Sequence, residues 1–354
     1  MDIRLATDKD RTVWDAYVLG HEDGLAYHQY AWKEAVAAAY HFKARYLVAE
    51  KTGDICGVLP MIDFKRPLGG HSFVSLPYCD QGGCLADDPD IATALMVRAR
   101  ALADADNVES IELRQVGRQN GTQLGRQDDC DYQSVEGQKV RMILDLPTSS
   151  SLLLAGLKSK LRSQIRKPAR DGLVAVLGGL ELVPEFYQIF SENMRALGSP
   201  VHSRKWIESI VKYYAMRARV GLVYTPEGEP AAGGVILLHG KSVSIPWASS
   251  LRKFNKLNPN MLLYWNFLAF AADQGFGRFD FGRSTPGEGT YRFKAQWGAR
   301  PVALDWRRIG HQGVKKLAST QKSELRGQAE NIWKHLPLAL CNTCGPLLRR
   351  YVSL

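Results

Sequence analysis

Nowhere in the 354 residues is there a run of apolar side chains of the length, about 20, that a helix needs to cross a bilayer. That absence excludes a transmembrane helix. Cysteine is sparse: Cys56, Cys79, Cys84, Cys130, Cys341 and Cys344 are scattered, and only the last two form a Cys-x-x-Cys. No second pair completes a zinc site, and the strand-then-helix setting of a redox pair is missing. A metal is therefore not expected, and reduced thiols in a cytosolic protein are the simplest account. The phosphate loop Gly-x-x-x-x-Gly-Lys-Ser/Thr and the elbow Gly-x-Ser-x-Gly are absent, and His21-Glu22 lacks the second histidine of a zinc-protease helix. Met1-Asp2-Ile3-Arg4 leads into a charged stretch with no apolar segment behind it, so no secretory leader is expected. The expected location is the cytoplasm, extending to the inner face of the membrane.

Acidic residues are in deficit, 36 Asp and Glu against 46 Lys and Arg, for a net charge of +10. Such a balance favours polyanionic partners: the phosphates of a nucleotide donor, RNA, or an anionic membrane surface. The charge concentrates in Lys158–Lys167 and from Arg307 onward. Hydrophobic residues at 45% and charged residues at 23% are ordinary for a folded chain, and the length suggests two domains.

One order of elements occurs twice. A helix over Trp32–Tyr40 precedes a strand over Ala44–Glu50, a Lys51-Thr52-Gly53-Asp54 turn and a strand over Ile55–Ile62. A helix over Trp206–Tyr214 precedes a strand over Arg219–Tyr224, a turn over Thr225–Pro230 and a strand over Ala232–Leu238. Leu76-Pro77-Tyr78 is echoed by Ile245-Pro246-Trp247, and each half closes with a helix and a strand: Ile91–Ala103 with Ser110–Arg114, and Met261–Ala272 with Arg278–Phe281. The plan is α+β, two domains related by internal duplication, each a mixed and mostly antiparallel sheet covered by helices. The join is expected at the polar stretch Pro147–Ser151, which could also cap the basic helix that follows. The expected domains are residues 1–147, residues 148–308 with the active-site motif, and a basic helical tail over 309–354 in which Pro337 and Pro346 interrupt the helix.

The richest chemistry lies in Phe279–Gly298. A strand ends at Phe281, a Gly-Arg-Ser turn and a Gly-rich loop follow, and a short helix carries Tyr291, Lys294 and Trp297 at a spacing that brings them near one face. A loop of this kind lets a substrate approach the backbone closely, and a lysine fixed there can stabilise a developing oxyanion.

These residues resemble the Fem family of peptidyltransferases, tandem GNAT-like proteins that add bridge amino acids to peptidoglycan precursors. The resemblance is carried by Ser249-Ser250, Asn258-Pro259-Asn260-Met261, the Phe279-Asp280-Phe281-Gly282 strand and the Phe293-Lys294 pair. Gly282-Arg283-Ser284 and Phe293-Lys294-Ala295-Gln296-Trp297-Gly298 are similar to a branch associated with exopolysaccharide and PEP-CTERM/exosortase loci. The resemblance implies catalytic roles for Lys294, Phe293 and Asp280, with the lysine on the tetrahedral intermediate and the aspartate orienting the loop. Arg283, Ser284, Tyr291, Trp297, Trp247 and Ser249 are the candidate substrate-binding residues. His202 and Arg204, after a Gly-Ser-Pro turn, are candidates to meet an anionic acceptor. Arg283 stands where the bridge-forming enzymes commonly have glycine, which favours the exopolysaccharide branch. In the first half Gln29-Tyr30-Ala31-Trp32 matches a family pattern, but Val36 stands where a phosphate-contacting lysine is expected, leaving Lys33 as the substitute. The usual GNAT pyrophosphate loop is only approached, by Arg114–Gly117 and Arg118–Gly121.

The implied activity is transfer of an acyl or aminoacyl group from acyl-CoA or aminoacyl-tRNA to a saccharide or lipid-linked envelope precursor. No permanently bound cofactor is expected, anionic membrane is an expected peripheral contact, and DNA is not an expected partner. A non-catalytic scaffold of a polysaccharide assembly system is the alternative.

Overall fold

The computed structural model describes residues 1–67, 69–116, 132–134, 139–310 and 324–353. Cys130, Arg118–Gly121 and part of the basic tail, 311–323, lie outside them. The chain forms two compact units: residues 1–140 with 302–319 and 351–354, and residues 141–301 with 320–350.

In the first unit the strands Asp2–Leu5, Leu47–Lys51, Asp54–Leu59 and Leu85–Ala86 form an antiparallel sheet in that order. The hairpin turn between Lys51 and Asp54 places Thr52 and Gly53 at φ 55° and 92°, angles that glycine adopts without strain. A second group of strands runs Ile62–Lys65, His71–Val74, Ser110–Val116 and Arg300–Gly310. The Pro89–Ala105 helix starts cleanly because Asp88 accepts from the Ile91 amide at 2.8 Å and proline occupies the first turn. Its buried Ile91, Leu95, Ala99 and Ala103 recur every fourth position and join Leu59, Met61 and Phe73 in one core.

In the second unit Val174–Gly178, Ala218–Tyr224, Pro230–His239 and Ser242–Ser250 pair antiparallel in that order. Arg278–Ser284 then pairs parallel to Ser242–Ser250, with Val140–Asp145 on its other side. Gly221 and Gly234 face each other across two strands, and a Cβ on either would meet the Phe267 ring, at 2.6 and 3.0 Å respectively. The missing side chains let the Pro259–Asp273 helix lay that ring directly on the sheet. On the opposite face Phe186 of the Val183–Leu197 helix lies over Gly233.

Each unit contains a parallel strand pair whose members are joined through a helix, as parallel pairing requires. They are His71–Val74 with Ser110–Val116 across Pro89–Ala105, and Ser242–Ser250 with Arg278–Ser284 across Pro259–Asp273. The fold is thus α+β, with mostly antiparallel sheets and a repeated plan.

Several local expectations change. The Ile55–Ile62 strand stops at Leu59, before Pro60, and a separate strand starts at Ile62. The strand through Phe281 continues to Ser284. Ser149 caps a short Ser150–Gly156 helix, accepting from Leu152 at 3.2 Å, rather than the basic helix, which spans Ser159–Arg170. Pro337 separates two helices, Glu324–His335 and Leu338–Arg349, but Pro346 sits inside the second. The echo of Leu76-Pro77-Tyr78 in Ile245-Pro246-Trp247 is not structural: Leu76 and Tyr78 lie at φ 62° and 70° in a turn, whereas Ile245–Trp247 lies within the Ser242–Ser250 strand, where the register with the neighbouring strand shifts. Among the described residues no helix is long and apolar enough to cross a membrane.

Candidate active site

The Arg278–Ser284 strand builds the site. Phe279 and Phe281 alternate onto one face with ring centroids 4.9 Å apart, and Phe281 stacks on Tyr264 at 5.7 Å. Asp280, 2% exposed, faces the other way. One of its oxygens accepts from Arg141 on the neighbouring strand, Nη2 at 3.0 Å and Nε at 3.3 Å. The other accepts from the backbone N–H of Gly282 at 2.8 Å. Gly282 has φ 73°, which only glycine adopts without strain, so the strand turns there under the grip of Asp280.

The turned backbone presents two carbonyls to the Gly289–Ala295 helix. Lys294, 8% exposed, donates from Nζ to the Arg283 carbonyl at 2.8 Å and to the Gly282 carbonyl at 3.2 Å. A buried ammonium needs such oxygens to offset its lost hydration. Two of its three donors are directed to them, which fixes the position of the charge. The chain of contacts therefore runs from Arg141 through Asp280 and Gly282 to Lys294.

Phe293, the residue before, is half-buried and meets Tyr264 edge-on at 5.0 Å and Trp297 at 6.3 Å. Burial pushes the Tyr264 hydroxyl well above its usual pKa. Trp297 is 1% exposed, and its Nε1 and the Ser284 hydroxyl are buried polar atoms without a partner among the described residues. Tyr291 and Arg283 are half-buried. Beside this helix opens a cleft of about 330 Å³, lined from Gln164, Ser250, Asn258, Asn260, Phe293 and Gln296 among others.

Seven of the eleven candidate residues thus gather on one strand-loop-helix segment: Asp280, Arg283, Ser284, Tyr291, Phe293, Lys294 and Trp297. The remaining four do not join them. Trp247 and Ser249 point to the opposite side of their strand from the cleft-lining Ser250. Trp247 packs on Trp206 at 6.1 Å, and the Ser249 hydroxyl accepts from Asn193 at 3.1 Å. His202, 2% exposed, lies between Trp206 and Trp247, and burial pushes its pKa well down. A neutral imidazole in an aromatic pocket offers no charge to an anionic acceptor, so that expectation is corrected. Arg204 lies on an exposed helix surface, paired with Glu208 one turn on at 2.7 Å. In the first unit Lys33 is engaged with Asp8 at 2.7 Å and with the Tyr30 hydroxyl. Arg141 escaped sequence reasoning because its strand carries no motif, whereas Gln164 and Gln296 lie in stretches singled out for their neighbours and not for themselves.

Residues 155–295 match a protein-family model described as an acetyltransferase (GNAT) domain. Among solved structures the chain is similar to FemX, with TM-score 0.70 and 16% identity over 88% of this chain and 98% of that one. It is also similar to L-PGS from Bacillus licheniformis, with TM-score 0.57 and 12% identity over 99% and 98% of the two chains. A tandem GNAT protein from the clavulanic acid biosynthesis pathway gives TM-score 0.53 and 11% identity over 89% and 100%. At these identities the likeness is one of fold. No curated protein matches the chain by sequence.

Proposed function

We propose that the second unit is an acyl- or aminoacyl-transferase centre acting on an envelope or exopolysaccharide precursor. The observation that carries this reading is the buried Lys294 ammonium, held by two backbone carbonyls on the helix whose Phe293 and Gln296 line the cleft. A surface lysine would gain nothing from that arrangement. A fixed cation beside a cleft is placed to stabilise charge that develops on a carbonyl oxygen.

In this reading an acceptor amine or hydroxyl attacks the donor carbonyl. The new C–N or C–O bond forms as negative charge gathers on the carbonyl oxygen near Lys294. The donor's C–S or C–O bond then breaks, and the proton lost by the acceptor ends on the departing thiol or hydroxyl. No covalent enzyme intermediate is needed, and rate comes from positioning and electrostatics. Asp280 is a positioning residue, since both its oxygens are used to hold Arg141 and Gly282. Arg283, Ser284, Tyr291 and Trp297 shape the pocket. The donor is acyl-CoA or aminoacyl-tRNA, the catalytic domain is the 148–308 segment, and the site of action is the cytoplasm at the inner membrane face.

The test is Lys294→Met. Turnover of a labelled donor in a cell extract containing the precursor should fall roughly 10²–10³-fold or more, with the unfolding temperature unchanged. Undiminished turnover in that variant removes the reading. A scaffold has no use for a buried, oriented ammonium, so retained Lys294 geometry disfavours the non-catalytic alternative.

A further inference from the structure

The cleft has an unusual wall for so basic a protein. Of its nine lining residues, five carry carboxamides (Gln164, Asn255, Asn258, Asn260 and Gln296), Ser250 adds a hydroxyl, and none carries a charge. The chain as a whole has a net charge of +10. The wall offers no Lys or Arg side chain to pair with a phosphate or carboxylate. A carboxamide instead offers a donor and an acceptor side by side, the complement of vicinal hydroxyls and of an acetamido group.

The remaining wall is apolar: Pro259, Met261 and Phe293. The Phe293 ring is half-buried and held edge-on to Tyr264 at 5.0 Å, so it is a rigid platform rather than a mobile side chain. An aromatic face beside a row of carboxamides suits the C–H face and hydroxyl rim of a pyranose. The cleft volume, about 330 Å³, is at the lower end of small-ligand sites, which fits a short saccharide unit.

Asn258 holds φ 55° and ψ 44°, closing the Arg252–Leu257 3-10 turn and opening the Pro259–Asp273 helix, a left-handed conformation that asparagine adopts readily. Asparagine at this position ordinarily caps the helix, yet its side chain makes no capping hydrogen bond. Asn258 is one of the residues that line the cleft.

We propose that this cleft is a neutral-saccharide subsite, which seats a sugar ring of the acceptor between the carboxamides and the Phe293 ring. The proposal rests on the transferase reading above for its biological meaning, but not for its test. The full chain is titrated with chitotriose and maltotriose, with a trisaccharide of uronic acids, and with pantetheine, by calorimetry and saturation-transfer NMR. A neutral trisaccharide should bind and the uronate should not. Asn258→Gly keeps the backbone conformation while deleting the carboxamide, and Asn260→Ala and Gln296→Ala delete two more. Each should weaken trisaccharide binding roughly 3–10-fold, the worth of one or two hydrogen bonds. Failure of both neutral sugars to bind, or binding indifferent to these variants, overturns the proposal. So does pantetheine binding that the same variants weaken, since the cleft would then belong to the donor. Lys294→Met separates the two ideas: retained turnover in it defeats the chemistry assigned to Lys294, whereas sugar binding that ignores the cleft variants defeats only the subsite.

Discussion

Among single side chains, Asp280 has the clearest consequences. Its carboxylate and the Arg141 guanidinium are both buried, and they meet at 3.0 Å. A buried pair is weak evidence for stability by itself, but removing one partner strands the other charge away from water, at a cost of about 3–5 kcal/mol. Asp280→Asn should therefore lower unfolding free energy by that amount in urea titrations. The Asp280→Asn/Arg141→Met double variant should recover part of it, because no charge is left stranded. A loss below about 1 kcal/mol in the single variant would mean that water reaches the pair. His202 is the second case. Burial holds its imidazole neutral in the folded protein, whereas the unfolded chain takes up a proton near pH 6.5. The unfolded state thus binds more protons as pH falls, and stability contributed by the neutral histidine is present above pH 6.5 and lost below it. The slope is about 1.4 kcal/mol per pH unit for one group. Comparing urea unfolding of the wild type and His202→Phe between pH 7.5 and 5.5 isolates that slope; parallel curves would show that His202 is not the group responsible. The grouping of residues was legible where a motif crossed a turn, as in Phe279–Gly282 and Phe293-Lys294. It was not legible for Arg141, whose partner is 139 positions away, nor for His202, whose charge is decided by burial that composition does not encode.

For individual elements, periodicity located the helices and strands well because each buries a regular stripe. The Pro89–Ala105 helix and the strands flanking Gly228 needed only their apolar spacing and turn residues. Errors arose where a local conformation outweighed the pattern: Gly282 bends within a strand rather than ending it, and Pro346 is tolerated inside a helix. The pair Gly221 and Gly234 shows what pattern reading leaves out. As isolated residues they weaken strand propensity, and their purpose appears only when Phe267 is seen against them. Adding a methyl at Gly221 would place it 2.6 Å from the ring, so Gly221→Ala should destabilise by about 1–3 kcal/mol through overpacking. Phe267→Leu, which vacates the aromatic edge, should reduce that penalty in the double variant, since touching residues couple. Denaturation midpoints of the four proteins check it, and strict additivity would show that the ring moves aside freely.

For the whole molecule, the duplication was legible because two halves repeat one order of elements, and each unit contains its own helix-linked parallel pair. What the linear order concealed is that residues 302–319 belong with the first unit and 320–350 with the second. Net charge acts at this scale as well. The Ser159–Arg170 helix buries Leu161, Ile165 and Pro168 and exposes Lys160, Arg166 and Arg170, while Gln164 of the same helix reaches the cleft wall. A polyanion lying along the exposed side would have its end near the cleft that Phe293 and Gln296 line. If the donor is aminoacyl-tRNA, affinity must fall steeply with salt, because each neutralised phosphate releases condensed counterions. Lys160→Ala/Arg166→Ala/Arg170→Ala should then weaken filter binding of charged tRNA and reduce the slope of log affinity against log salt by roughly 2–3, at about 0.7–0.9 per contact. Acyl-CoA affinity should be untouched by the same substitutions. A salt slope identical in wild type and triple variant would remove this helix from the donor site and leave the shorter, salt-tolerant acyl-CoA as the donor that fits the charge distribution.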